Sequence, residues 1–510
     1  MNKIVFDIDQ FTIDDLISIV RNYNGVKLAE NVKGQILQTR KMINRWIDKG
    51  KAIYGVTTGF GALSDVAISR QETKQLQKNI LMSHASGTGN FLDKEIVRAI
   101  MALRIKDMAR GNSGIRLKTV QLLINLLNND ICPLVPEKGS VGASGDLVPL
   151  AHLALVLIGK GEALYHGKKV SGAEALNRIG AKPVELEAAE GLALINGTQV
   201  MTGIGALAVY DAALLSKMCD IAAAMSLEVL MGSTTQFDQR IQQARPHPGQ
   251  ASSADNILRI TKSSEIISSH LDCSRIQDAY SLRCSPQVHG ASKDAISYVR
   301  KVLETEINSS TNNPLFFPKA DTFLLGGNFH GQPVALALDF LCMAVAEIAN
   351  ISERRIERLV NPSLSGLTAF LVRDGGLNSG FMIAQYTAAA LVSENKVLSH
   401  PACVDSIPTS ANKEDHVSMG TISARKCREI VKNTENVIAI ELLCAAQALD
   451  LFTNLKPGKG TLSAFKVIRK AVSHLDGDRI LSKDIETVLN LIKNRKILTA
   501  VEDVVGELNC

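Results

Sequence analysis

The run Gly139-Ser140-Val141-Gly142-Ala143-Ser144-Gly145 sets a hydroxyl between two residues with almost no side chain. A hydrolase nucleophile in the GxSxG pattern needs glycine two positions after the serine, and Asp146 stands there instead. Phosphate loops need GxGxxG or GxxxxGK followed by Ser or Thr. The glycines here recur at every third position, and Gly458-Lys459 is followed by Gly460 with no upstream glycine. The string fits a different chemistry. Gly145 has no Cβ, so its amide nitrogen can curl back onto the carbonyl carbon of Ala143. Dehydration would then turn Ser144 into a dehydro residue with an exocyclic methylidene carbon, an imidazolone electrophile made without any added cofactor.

Other polar clusters carry less. There is no HExxH, and the nine cysteines occur singly with no CxxC pair, so no metal site is expected. Glu414-Asp415-His416 reads locally as a helix start with acid near the positive dipole end. Arg354, Arg355 and Arg358, interleaved with Glu353 and Glu357, read as a charged surface or a subunit contact. A net charge of +5 on 510 residues, with no block of like charges, argues against nucleic-acid binding.

The string from Gly139 to Asp146-Leu147, followed by Pro149-Leu150-Ala151-His152, resembles the cofactor-forming signature of the aromatic amino-acid ammonia-lyases. Further segments match that family in the same order over nearly the whole chain. They are Tyr54-Gly55-Val56 with Thr58-Gly59-Phe60-Gly61, then 191–199, 277–284, and Gly326-Gly327-Asn328-Phe329-His330. The resemblance implies 4-methylidene-imidazole-5-one (MIO) formed from Ala143, Ser144 and Gly145, with no external organic cofactor and no metal. It makes Tyr54 the base for the β-proton, a role that requires an environment favouring the phenolate. It makes Arg283 the bidentate clamp on the substrate carboxylate. Asn196 and Tyr280 are expected beside the cofactor and carboxylate, with Gln277 in support, Phe329 in the wall and Asp146 assisting cyclisation.

Ser83-His84-Ala85 and the segment 412–419, with Glu414, resemble the members of the family that act on histidine. Those that act on phenylalanine or tyrosine usually carry glutamine at the position of Glu414. An imidazole is polar at both ring nitrogens. An apolar ring would leave His84 and Glu414 unpaired at roughly 1–3 kcal/mol per group. The implied reaction is elimination of ammonia from L-histidine to give trans-urocanate, with Glu414 holding or polarising the ring. The alternatives are a tyrosine or phenylalanine lyase or an aminomutase on the same cofactor, and, in another class, a catalytically silent helical scaffold. The signature of fumarase-type lyases is absent. Two positions depart from the family: Thr57 stands where Asn is more common, and Asn312 where Asp is.

These loops need a rigid carrier, and helical periodicity supplies it. Thr12 and Asp15 form a candidate capping box, with Ile13, Leu16, Ile17 and Val20 on one face. Val334, Leu338, Leu341, Val345 and Ile348 share a stripe, as do Ile438, Leu442, Ala445, Leu449 and Phe452. No Gly or Pro interrupts 332–360 or 423–452 after the first turn, which predicts long helices. The stretch 202–231 is apolar nearly all round and predicts deep burial or a subunit interface. The expected fold is mainly α, a long-helix bundle with functional loops, a short N-terminal strand and a large oligomeric helical core. Residues 1–200 would carry the cofactor loop, 201–455 the long-helix bundle, and 456–510 a C-terminal helical region joined at 456–460, all in one continuous unit. The composition, 46% hydrophobic and 21% charged, is that of a soluble globular protein. Lone thiols, no signal-like start and an apolar run at 147–158 too short for a bilayer point to the cytoplasm and no membrane. The resemblance further implies a homotetramer with dihedral symmetry, each active site drawing on three subunits.

Overall fold

The computed structural model describes every residue except Met1, Asn2, Asp9, Asp65, Ala67, Arg70, Asp272, Cys273, Ser274 and Arg275. It is mainly α, with 21 α-helices and only short strands among the described residues. Two compact units emerge. One comprises Met1–Ala208, Arg300–Asp339 and Pro401–Arg425; the other comprises Val209–Val299, Phe340–His400 and Lys426–Cys510. The consecutive stretches 1–200, 201–455 and 456–510 are a different partition, because each unit gathers segments distant in sequence.

In the first unit the alternating N-terminus forms a strand, Lys3–Phe6, paired in parallel with Gly25–Leu28. The helix between them, Ile13–Val20, begins on the predicted capping box. Thr12 Oγ1 accepts from the Asp15 amide at 3.1 Å, and Asp15 Oδ2 accepts from the Thr12 amide at 3.0 Å. Its stripe of Ile13, Leu16, Ile17 and Val20 is buried. A short ladder matters more for chemistry. Thr88–Phe91 pairs antiparallel with Pro136–Lys138. One strand follows the Thr73–His84 helix, and the other leads into the loop at 139–145.

The long helices follow the predicted faces. Gln199–Val229 is buried along nearly all its length, and the stripe from Val334 to Ile348 lies in Gln332–Val360 with every member buried. That helix is long and apolar enough to cross a membrane, yet 67% of its most apolar window is buried within the protein, as in a core helix. Gly420–Leu449 ends three residues before Phe452. Its last amides tighten into i→i+3 bonds, Leu451 to Ala448 and Phe452 to Leu449, both 3.1 Å, and these close the helix.

The second unit corrects the reading of the arginines. Arg354 is half exposed beside Glu353, but Arg355 is fully buried. Its Nε and Nη2 donate to the two carboxylate oxygens of Glu441 at 2.5 and 2.9 Å. Ser226 and Ser352 donate to the same carboxylate. Alongside lie Cys219 and His289, 3.2 Å apart, with His289 Nδ1 2.8 Å from Asp220 and Lys293 3.2 Å from that same carboxylate. Burial opposes the charge on His289, but Cys219 and Asp220 outweigh it and raise its pKa to about 9. An arginine in a helical charge pattern reads as surface only until tertiary packing supplies a buried counterion. Glu441→Gln is expected to strand the Arg355 charge and cost roughly 3 kcal/mol of stability. Denaturant unfolding of the purified protein measures this, and an unchanged midpoint would show the pair contributes nothing.

The segment 456–460 runs into the Lys459–Ala471 helix. It is a held connection: Gly458 donates to Glu228 at 2.7 Å, and Lys456 and Glu265 bond reciprocally.

Candidate active site

All of the 139–145 loop lies in the first unit, and its shape is dictated by close backbone approach. Gly145 adopts φ +72 and bridges Gly197, whose carbonyl oxygen would lie 2.1 Å from any Cβ added at Gly145. Only glycine fits, and the Asp146 amide then donates to that same carbonyl at 2.7 Å. Asp146 is fully buried and ties three segments together. Its Oδ2 accepts from the Val200 and Met201 amides, both 2.9 Å, at the start of the Gln199–Val229 helix. Its Oδ1 accepts from Ser140 at 3.1 Å and from Thr421. Burial pushes the Asp146 carboxyl up, against the bonds from Thr421, Met201, Ser140 and Val200. A carboxyl so placed fixes the loop and holds a proton more readily than an exposed one.

Ser144 is the partly exposed member of the triplet, with Ala143 and Gly145 buried on either side. Its hydroxyl donates to Glu414 Oε1 at 2.8 Å across 270 residues of sequence. Its carbonyl accepts from Asn196 Nδ2 at 3.0 Å, while Asn196 Oδ1 is buried with no partner among the described residues. Glu414 is held in turn by Thr409, whose hydroxyl donates to Oε2 at 2.8 Å and whose backbone pairs with it. Between them Ser410, Ala411 and Asn412 all take positive φ, a strained turn that aims the carboxylate at the loop. Ser418 donates to the Gly142 carbonyl and the Met419 amide to that of Val141, both 2.9 Å. The Glu414-Asp415-His416 run does not converge. His416 packs its ring 5.7 Å from that of His330 and accepts from it through the backbone.

His84 closes the Thr73–His84 helix, its ring 5.6 Å from Phe60 and its Nδ1 3.1 Å from Ser83 Oγ. Burial lowers its pKa, opposed by the Ile80 backbone and by the charge of Glu414. His84 and Glu414 therefore share one electrostatic environment. Tyr54 lies in the turn at 54–57, its phenol oxygen accepting from the Gly61 amide at 3.0 Å. The Thr57 departure braces that turn, since Thr57 Oγ1 accepts from Ile53 at 2.9 Å and donates to the Lys51 carbonyl at 3.0 Å. The Asn312 departure also has a partner. Asn312 donates to Asp107 at 2.6 Å and accepts from the buried Arg104 at 3.0 Å. An aspartate there would set two carboxylates side by side. Phe329 is half-buried just before the Gln332–Val360 helix.

Gln277, Tyr280 and Arg283 belong to the second unit. Gln277 and Arg283 line a cleft of about 420 Å³ with Asp278, His270, Gln236 and Ser233. Tyr280 is 71% exposed, with the Arg283 guanidinium 4.8 Å from its ring centroid. Sequence reasoning missed Thr409, Ser418, Thr421 and Ser140. Ser418 and Thr421 act through partners some 275 residues away, while Thr409 and Ser140 bond carboxylates five and six residues on, in turns that no local periodicity marks.

The loop fits the imidazolone. The ring closed by Gly145 nitrogen on Ala143 carbon would contain the Ser144 carbonyl, and Asn196 already donates to that oxygen. The left-handed Gly145 and the small Ala143 permit the closure sterically.

Comparison with known proteins gives concordant results. The sequence profile of the aromatic amino acid lyase family matches residues 11–470. The histidine ammonia-lyase of Alkaliphilus oremlandii (strain OhILAs) is 56% identical over 505 residues, 99% of both chains. The crystal structure of histidine ammonia-lyase from Trypanosoma cruzi superposes with a TM-score of 0.92 at 41% identity, covering 99% of this chain and 96% of that one. Tyrosine aminomutase from Streptomyces globisporus superposes at 0.94 with 35% identity, covering 99% and 100%.

Proposed function

Because the chain belongs to the aromatic amino acid lyase family, we propose that it is a histidine ammonia-lyase, eliminating ammonia from L-histidine to give trans-urocanate. The observation that carries the histidine reading is the Glu414 carboxylate, aimed at the Ser144 hydroxyl with His84 in its field. Once formed, MIO supplies the electrophilic carbon that makes the substrate amine a leaving group. Asn196, donating to the Ser144 carbonyl, draws electron density from the conjugated system and sharpens that electrophile. With Ser144 converted, Glu414 Oε1, which accepts from its hydroxyl here, would be free to accept from an imidazole N–H. His84, kept neutral by burial, serves the other side of the ring. Tyr54 removes the β-proton from its glycine-bounded turn.

Arg283 clamps the carboxylate, with Gln277 and Tyr280 beside it. In a homotetramer of dihedral symmetry these residues reach the loop from neighbouring copies, so each active site draws on three subunits. Purified protein is assayed with L-histidine, L-tyrosine and L-phenylalanine, following ammonia and the ultraviolet absorbance of the conjugated acid. Urocanate from histidine alone is the expected result. Cinnamate, coumarate or a β-amino acid instead would keep the family chemistry and overturn the reading of His84 and Glu414.

A further inference from the structure

His152 lies on the Leu147–Leu157 helix, two turns from the electrophile loop, and nothing above gives it a task. Its Nε2 accepts from the Gly87 amide at 3.0 Å. Gly87 lies just past His84, in the turn where the Ser86 amide bonds back to the His84 carbonyl at 2.9 Å. The same helix face carries Val148, one turn earlier, packed against Gly139 at the start of the loop. Gly139 and Gly87 also approach each other directly, with the Gly87 Cα 3.4 Å from where a Cβ on Gly139 would sit. The ladder between Thr88–Phe91 and Pro136–Lys138 continues that contact outward. One helix thus begins at Asp146, beside the electrophile, and grips the segment that carries the imidazole-binding His84.

We propose that His152 is a positioning residue for substrate specificity, fixing His84 at its distance from the electrophile loop through the Gly87 amide. The inference rests on the reading of His84 as an imidazole ligand. It requires an acceptor at Nε2, and a protonated imidazole has none. Burial holds the His152 pKa below its ordinary value, which keeps that acceptor available at neutral pH.

The test uses the full-length assembled enzyme with L-histidine and compares His152→Phe, which fills the space without an acceptor, with His152→Gln, which restores one. His152→Phe is expected to raise KM roughly three- to tenfold, the scale of one net hydrogen bond. It should leave kcat within about twofold and the cofactor absorbance unchanged, because the loop contacts of Asp146 are intact. Amide exchange over 85–91 should accelerate, and His152→Gln should restore both readouts. If the phenylalanine variant does not fold, His152→Asn, too short to reach Gly87, takes its place. In a His84→Ala background the His152 substitution should add nothing to KM. An equal rise there, or an unchanged KM in His152→Phe while His84→Ala raises it, overturns the positioning role alone. Loss of kcat and cofactor absorbance at constant KM would also overturn it, marking a general folding defect. An unchanged KM in His84→Ala removes the reading of His84 and this inference with it.

Discussion

Ser144→Ala is expected to abolish ammonia release, by at least about a thousandfold, while the protein stays folded. Alanine has no leaving oxygen, so no methylidene can form, whatever the backbone does. The near-ultraviolet absorbance of the cyclic chromophore should vanish with the activity. Relative to the uncyclised chain, stability should change by less than about 1 kcal/mol, because the only side-chain bond removed is the one to Glu414. The remaining ties of the loop come from elsewhere. They run from Asp146 to Val200, Met201, Ser140 and Thr421, from Gly145 to Gly197, and from Asn196 to the residue-144 carbonyl. An alanine variant that still released ammonia would remove the imidazolone assignment outright.

Glu414→Gln is expected to lower histidine turnover by roughly a hundred- to a thousandfold. The substitution keeps shape and one acceptor oxygen but removes the charge and puts an NH₂ group where an acceptor stood. Thr409 can keep its bond to the remaining oxygen, so the strained turn through Ser410, Ala411 and Asn412 need not collapse. The pH dependence should move in a predictable direction. Burial lowers the His84 pKa and the Glu414 charge opposes that. Without the charge the His84 pKa falls further, so any acid limb owed to His84 moves to lower pH. Cofactor absorbance separates a pocket defect from a failure to form the electrophile, since Glu414 also accepts from the Ser144 hydroxyl. A near-parental rate with intact chromophore would show that Glu414 does not select histidine.

Much of this site was legible before any fold was known, for an identifiable reason. Cyclisation joins atoms two residues apart, so its requirement for small residues flanking a serine is written contiguously at Ala143, Ser144 and Gly145. Helix faces are likewise local: the 3.6-residue period located the buried stripes of Ile13–Val20 and Gln332–Val360. The capping box at Thr12 and Asp15 spans only four residues.

The tertiary structure decided what depends on distant partners. Arg355 looks like its neighbour Arg354 in sequence, yet one is fully buried on Glu441 and the other half exposed, because packing of separate helices sets the counterion. The gathering of three separate segments into each unit could not be read from composition, since four of the five boundaries fall within long helices rather than at linkers. The aim of Glu414 at Ser144 spans 270 residues and depends on a left-handed turn of non-glycine residues that local preference would not choose. The sequence by itself determined that a serine stands between two small residues and which faces the helices bury, because both follow from composition and period over a few residues. Only the tertiary structure decided which carboxylate meets which hydroxyl, because that choice is made by packing energy summed over segments with no memory of their order in the chain.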